Sequence, residues 1–83
     1  MELKDTVDLM NSEDYKERFK AEYLQTKIRY DKLCKMLVKQ EAGTLDFEPT
    51  CPRVTLLKQK RCMSEYLNSL EIRAEVEGID LSV

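Results

Sequence analysis

Histidine is absent from this chain of 83 residues, and glycine and proline occur only twice each. Without histidine, the chain lacks the usual general acid–base group of enzymes and a common zinc ligand. Two isolated glycines form no glycine-rich phosphate loop, and the sequence contains neither a GxSxG nor an HExxH motif. We therefore expect no catalytic residues and a protein that is not an enzyme.

Cysteine is also scarce and irregularly placed. Cys34, Cys51 and Cys62 are odd in number and show no CxxC spacing. A structural zinc site needs four sulfur or nitrogen ligands, and a disulfide framework needs paired cysteines. We expect three reduced thiols, with no metal and no other cofactor.

Long apolar runs are missing as well. No stretch approaches the roughly 20 apolar residues that span a bilayer, and the N-terminus lacks a signal-peptide core. Charged residues make up 36% of the chain, and the formal net charge is only −2. This mixture is typical of a helical protein with solvated outer faces and carries no nucleic-acid signature. We expect a cytoplasmic location and no membrane association, and DNA is a weak candidate partner.

Two long amphipathic runs predict an all-α, antiparallel two-helix hairpin within a single domain. We place helix 1 over residues 11–43, an extended connector over 44–52 and helix 2 over 53–78. Asn11 or Ser12 can cap the start of helix 1, and Gly43 and Gly78 stand where helices end. Residues 1–10 form an appended segment with room for a short helix. Because two helices enclose little, we expect the chain to form a homo-oligomer or to bind a partner.

Apolar side chains recur at helical spacing along both runs and predict one packing and oligomer seam. Lys60 is the single charged residue on the helix 2 stripe. It either extends to solvent, marks an interface register or points into a cavity shared between subunits. The aromatic residues of helix 1 also suit base stacking, but their spacing favours core packing. The seam comprises Tyr15, Phe19, Tyr23, Tyr30, Leu33, Leu37, Leu56, Met63, Leu67 and Leu70.

The connector differs from an ordinary polar loop. Leu45 and Phe47 alternate with two acidic residues, and each of the two prolines disfavours helix at the residue before it. We interpret the segment as a lid in which Leu45 and Phe47 fold back over the end of the hairpin. A docking role for Phe47 is the alternative.

Basic residues concentrate at the connector end of the hairpin. Residues 53–61 contain four basic residues and no acid, although the N-terminal dipole of a helix favours acids there. An antiparallel hairpin also brings lysines from the end of helix 1 to this region. The basic end could bind an anionic ligand such as a nucleotide, dock an acidic protein surface or another copy, or be only solvated. The candidate residues are Arg53, Lys58, Lys60, Arg61, Lys35 and Lys39.

Two segments carry a resemblance to a known family. The stretch from Asp14 to Tyr23, with the sequence DYKERFKAEY, and the apolar pattern from Gln59 to Glu75 resemble small, uncharacterised helical-hairpin proteins. These are carried by crAss-like and other tailed phages and by prophages of gut bacteria. The resemblance covers about residues 11–80.

The resemblance implies a binding protein in the cytoplasm of a bacterial host cell. Its leading implication is protein–protein interaction that modulates or inhibits a host protein, including a defence effector. In architecture alone, the chain is also similar to phage sponge proteins, which oligomerise through helical hairpins and sequester cyclic nucleotides. A purely structural or assembly role is the third alternative.

Overall fold

The computed structural model describes all 83 residues and contains helices but no strand, which confirms the predicted all-α class. A 3-10 turn, Leu3–Thr6, and the short helix α1, Val7–Met10, precede two long helices, α2 over Tyr15–Ala42 and α3 over Arg53–Glu77. α2 and α3 pack against each other as an antiparallel hairpin about 43 Å long. None of the helices has an apolar stretch of the length that a membrane crossing requires.

The start of α2 is set by Asp14 rather than by Asn11 or Ser12, the residues expected from the sequence. The Asp14 carboxylate accepts a hydrogen bond from the backbone N–H of Lys16 at 2.9 Å, as an N-cap does. The hydroxyl of Ser12 instead accepts the N–H of Asp14 at 3.0 Å. Ser12 therefore shapes the approach to the helix, and the side chain two residues later caps it.

Both long helices end at glycine. Gly43 and Gly78 have φ angles of 77° and 68°, in the left-handed region that a residue with a Cβ rarely adopts. Beyond Gly78 the chain turns back, and the N–H of Ile79 bonds the carbonyl of Ala74 at 2.8 Å. This turn buries Ile79 and packs Leu81 against the core, so the C-terminal tail closes the open end of the hairpin.

The N-terminal segment is part of the packed structure. Thr6 is completely buried, donates its hydroxyl to the carbonyl of Leu3 at 2.7 Å and accepts from the Gln25 amide at 2.8 Å. Leu9 packs against the core. The 3-10 turn and α1 thus cover the face of α2 that α3 leaves open.

The core is concentrated in the half of the hairpin away from the connector. Leu37 is the only buried residue between residues 25 and 66. Of the predicted seam, Tyr30, Leu33, Leu56 and Met63 are only partly buried, and Tyr15 is 45% exposed. Two helices cannot cover so wide an apolar stripe at the end where nothing else packs. The core cluster comprises Phe19, Tyr23, Leu24, Leu67, Leu70, Ala74 and Ile79.

Tyrosine–glutamate hydrogen bonds join the two long helices along the seam. In each, the tyrosine hydroxyl donates to a carboxylate on the opposite helix. In such pairs a large aromatic side chain can lie at the boundary of a narrow core while its hydroxyl group keeps a hydrogen-bond partner. The pairs are Tyr15 with Glu77 at 2.9 Å, Tyr23 with Glu71 at 2.7 Å, and Tyr66 with Glu22.

Arg73 organises the open end of the hairpin. Its guanidinium lies 4.8 Å from the centre of the Phe19 ring, a cation–π geometry. It also donates to the Tyr15 hydroxyl at 2.7 Å and to the Glu77 carboxylate at 3.2 Å. One side chain of α3 therefore fixes two aromatic residues of the first turns of α2.

Replacing Leu70 with alanine should lower the free energy of unfolding by about 2–5 kcal/mol, because it opens a cavity at a side chain that is only 1% exposed. Urea denaturation followed by circular dichroism measures this loss. Val38→Ala is the matched control, since Val38 is 65% exposed and should change stability by about 0.5 kcal/mol or less. Similar losses in both variants would contradict the placement of the core.

Stability should fall as pH rises from about 10 to about 12. Burial of Tyr23 and its hydrogen bond to Glu71 raise the pKa of Tyr23 to about 12. Above the ordinary tyrosine pKa of about 10, the unfolded chain gives up this proton while the folded chain keeps it, so alkali favours unfolding. Denaturation midpoints measured across this range should fall less steeply in Tyr23→Phe than in the parent protein. An unchanged slope would exclude Tyr23 as the titrating group.

Candidate ligand-binding site at the connector end

The charges divide the hairpin into two ends of opposite sign. Residues 32–61 contain seven basic and three acidic residues, whereas the rest of the chain contains seven basic and thirteen acidic residues. The first set lies at the connector end and the second at the open end of a structure 43 Å long. The connector end is therefore the part of the surface that attracts anions.

One cleft at this end, the lysine cleft, lies between α2 and the connector and encloses about 280 Å³. Lys35 and Lys39 stand two residues before and after the buried Leu37, which places them about 200° around the helix, on the face away from α3. The connector folds back over this face, and Phe47 there is 56% exposed. The lining residues are Lys32, Lys35, Met36, Lys39, Leu45, Asp46 and Phe47.

None of the three lysines of this cleft forms a salt bridge. No carboxylate lies within 4 Å of any of their ammonium groups, although Asp46 lines the same cleft. A lysine ammonium is a compact point charge suited to phosphate or carboxylate oxygens. The neighbouring exposed ring of Phe47 offers a flat apolar surface on which a base or other planar group can stack.

A second cleft, the arginine groove, lies between the two long helices and encloses about 400 Å³. Arg53 on its rim is already engaged: it donates to the Leu37 carbonyl at 3.3 Å and the Gln40 amide oxygen at 2.7 Å. It also pairs with Glu41 at 3.2 Å. Arg53 therefore ties the start of α3 to the end of α2. The groove is lined by Leu37, Val38, Glu41, Ala42, Arg53, Leu57 and Lys60.

The other predicted basic residues take two different positions. Lys60 is partly buried, lines the arginine groove and has no carboxylate within 4 Å. Lys58 and Arg61 are exposed and line neither cleft. The six candidate residues thus lie on three surfaces rather than one: Lys35 and Lys39, Arg53 and Lys60, and Lys58 with Arg61.

Lys32 and Asp46 line the lysine cleft but are not among the six residues predicted from the sequence. The signal for Lys32 was present, since Lys32, Lys35 and Lys39 recur at spacings of three and four along one helix face. Asp46 gave no such signal. Its place beside these lysines depends on how the connector folds back, which no local pattern specifies.

The two remaining clefts are poorer sites for an anion. In the cleft at the middle of the hairpin, Lys27 is paired with Asp31 at 3.4 Å and lies 5.5 Å from the centre of the Tyr30 ring. The cleft at the open end is lined by three carboxylates, those of Glu71, Glu75 and Asp80. Its charge repels phosphate and carboxylate groups.

Arg53→Met should destabilise the protein by about 1–2 kcal/mol, because it removes charge-assisted hydrogen bonds that join α2 to α3. Lys35→Met should leave stability nearly unchanged, since Lys35 is exposed and has no partner. The thermal unfolding temperatures of the two variants measure this difference. A lower temperature for Arg53→Met alone would show that Arg53 stabilises the fold and that Lys35 does not. Equal stability of the two variants would remove the structural role assigned to Arg53.

Comparison with known proteins identifies a family for this chain. No curated protein and no solved structure matches the chain. The sequence does match the family model described as Sequestin, over residues 13–76, a span that contains most of α2, the connector and nearly all of α3. Because this match covers most of the chain, the protein belongs to the Sequestin family.

Proposed function

We propose that this protein sequesters a phosphate-bearing small ligand of the cyclic-nucleotide class, with the lysine cleft as the binding site. The observation that carries the proposal is the set of three lysines without a carboxylate partner around the exposed ring of Phe47. The family name, Sequestin, also points to withholding a ligand rather than converting it.

The cleft combines an aromatic ring for stacking a base with lysines for binding phosphate, and both contribute to nucleotide affinity. Stacking a base on an aromatic ring is worth about 1–3 kcal/mol. Each exposed ion pair between a lysine and a phosphate adds up to about 1 kcal/mol and is screened by salt. The phosphates would lie against Lys32, Lys35 and Lys39, and the base against Phe47. Affinity should therefore depend on both ends of the ligand and fall at high ionic strength.

Sequestration requires no chemistry from the cleft. The lining residues include no nucleophile positioned by a base, and the chain lacks histidine. A protein that only binds lowers the free concentration of its ligand in proportion to the number of sites.

A second candidate function is inhibition of a host protein, such as a defence effector, by docking on its acidic surface. The observation that favours it is the line formed by the three lysines. They extend over the eight residues from Lys32 to Lys39 of α2, about 10 Å along one helix face. This line matches the acidic face of a partner helix as well as it matches two phosphates.

In isothermal titration calorimetry with cyclic mononucleotides and cyclic dinucleotides, we expect the purified protein to bind at least one of them. Lys35→Glu should weaken that binding at least tenfold, because it replaces an attraction with a repulsion. Phe47→Ala should weaken it by removing the stacking surface. Lys4→Glu, an equal charge change outside the lysine cleft, is the control and should bind like the parent.

Each outcome separates the two candidate functions. Binding that survives both Lys35→Glu and Phe47→Ala would move the site away from the lysine cleft. If no cyclic nucleotide bound, the sponge would be excluded. Capture of one defined host protein by the parent but not by Lys35→Glu would then favour docking on an acidic surface.

A further inference from the structure

The outer face of α3 is exposed along its whole length. At 100° per residue, Val54, Arg61, Glu65, Ile72 and Val76 lie within about 60° of one another, on the side opposite the buried face of the helix. The three apolar members are 74%, 56% and 81% exposed. No other element covers this face, since α3 packs only against α2.

The charges on this face change sign at its middle. Lys58 and Arg61 occupy the half near the start of the helix, and that half contains no acid. Glu65 and Glu75 occupy the half near its end. Exposed apolar residues stand at both extremities of the face, so its two halves are similar in shape and opposite in charge.

We propose that this face is the interface with a second copy of the chain, in which the two α3 helices pack antiparallel about a two-fold axis near Glu65. Antiparallel pairing brings Val54 of one copy beside Val76 of the other, and Leu57 beside Ile72. Lys58 and Arg61 then lie within reach of the glutamates of the second copy. A parallel pair would instead place like charges together along the whole face, whereas the antiparallel pair does so only at the axis, where the two Glu65 side chains meet.

The same arrangement accounts for basic residues where a lone helix disfavours them. The first turns of α3 contain Arg53, Lys58, Lys60 and Arg61 but no acid, although the positive end of the helix dipole lies there. In an antiparallel pair, Lys58 of one copy approaches the final turns of the other α3, where the dipole is negative. The position of Lys58 and Arg61 is then favourable between molecules rather than within one, whereas Arg53 and Lys60 line the arginine groove.

This interface is separate from the lysine cleft. The cleft lies on the face of α2 away from α3, so it stays open when two α3 helices meet. The two-fold axis makes the contact isologous and self-limiting, and it gives a closed dimer rather than a filament. The dimer would carry two lysine clefts, one on each copy.

Charge-reversal variants test the pairing through the mass of the protein in solution. Size-exclusion chromatography with light scattering should give the parent twice the 9.8 kDa mass of the chain. Lys58→Glu with Arg61→Glu should give the monomer mass, and so should Glu65→Lys with Glu75→Lys. An equimolar mixture of the two double variants should recover the dimer mass, because each now complements the other.

Lys35→Glu with Lys39→Glu is the matched control, an equal change of charge outside the interface, and it should remain dimeric. A parent protein that is monomeric at high micromolar concentration would overturn the proposal. The exposed face of α3 would then be a candidate contact surface for a different protein. A dimer that survives both interface variants would overturn it as well. Circular dichroism of every variant distinguishes loss of pairing from loss of folding.

Cross-linking tests the antiparallel direction without changing any charge. The background is a chain in which Cys34, Cys51 and Cys62 are replaced by serine. In a mixture of Val54→Cys chains and Val76→Cys chains, a short bis-maleimide should join unlike chains. Val54→Cys chains alone should not be joined, because their two cysteines would lie roughly 33 Å apart along the helix axis. Efficient cross-linking of Val54→Cys alone would exclude the antiparallel arrangement.

Discussion

The structure depends on how much apolar surface two helices can bury between them. α2 and α3 meet along one stripe, and only ten of the 83 residues become buried. Where the N-terminal segment and the C-terminal tail add cover, around Phe19 and Leu70, a continuous core forms. Where they do not, at the connector end, Leu37 is buried while Leu56 and Met63 are only partly buried. The hairpin is thus a well-packed body at one end and a thin pair of helices at the other.

The thin end carries the features that suit binding. Its basic residues are held on a pair of helices joined by Arg53, so Lys32, Lys35 and Lys39 of α2 need not serve the fold and are free of carboxylate partners. The connector returns across these lysines and presents Phe47. This separation has a physical reason. A charge that is already paired within the protein binds a ligand weakly, whereas an unpaired lysine near an apolar ring can bind a ligand's phosphate or carboxylate group.

Hydrogen bonds between tyrosine and glutamate help to hold a core of this width. Tyr23 is buried deeply enough for its pKa to reach about 12, while its hydroxyl still finds Glu71. The Tyr15 hydroxyl likewise donates a hydrogen bond to Glu77, and it accepts one from Arg73. The sequence pattern identified these tyrosines as members of the seam. It did not identify their partners, because the glutamates on α3 look like members of a solvated face until the two helices are placed side by side.

The sequence by itself determined the all-α class, the two long helices and the glycines at their ends, because helical spacing and left-handed backbone are encoded within a few residues. It also determined that basic residues gather near the connector. Only the tertiary structure decided that α2 begins after Asp14, that residues 1–10 pack on it, and that the basic residues divide among three surfaces. Those outcomes depend on contacts between residues far apart in the chain, and on which of several possible caps and neighbours each side chain finds when the helices meet.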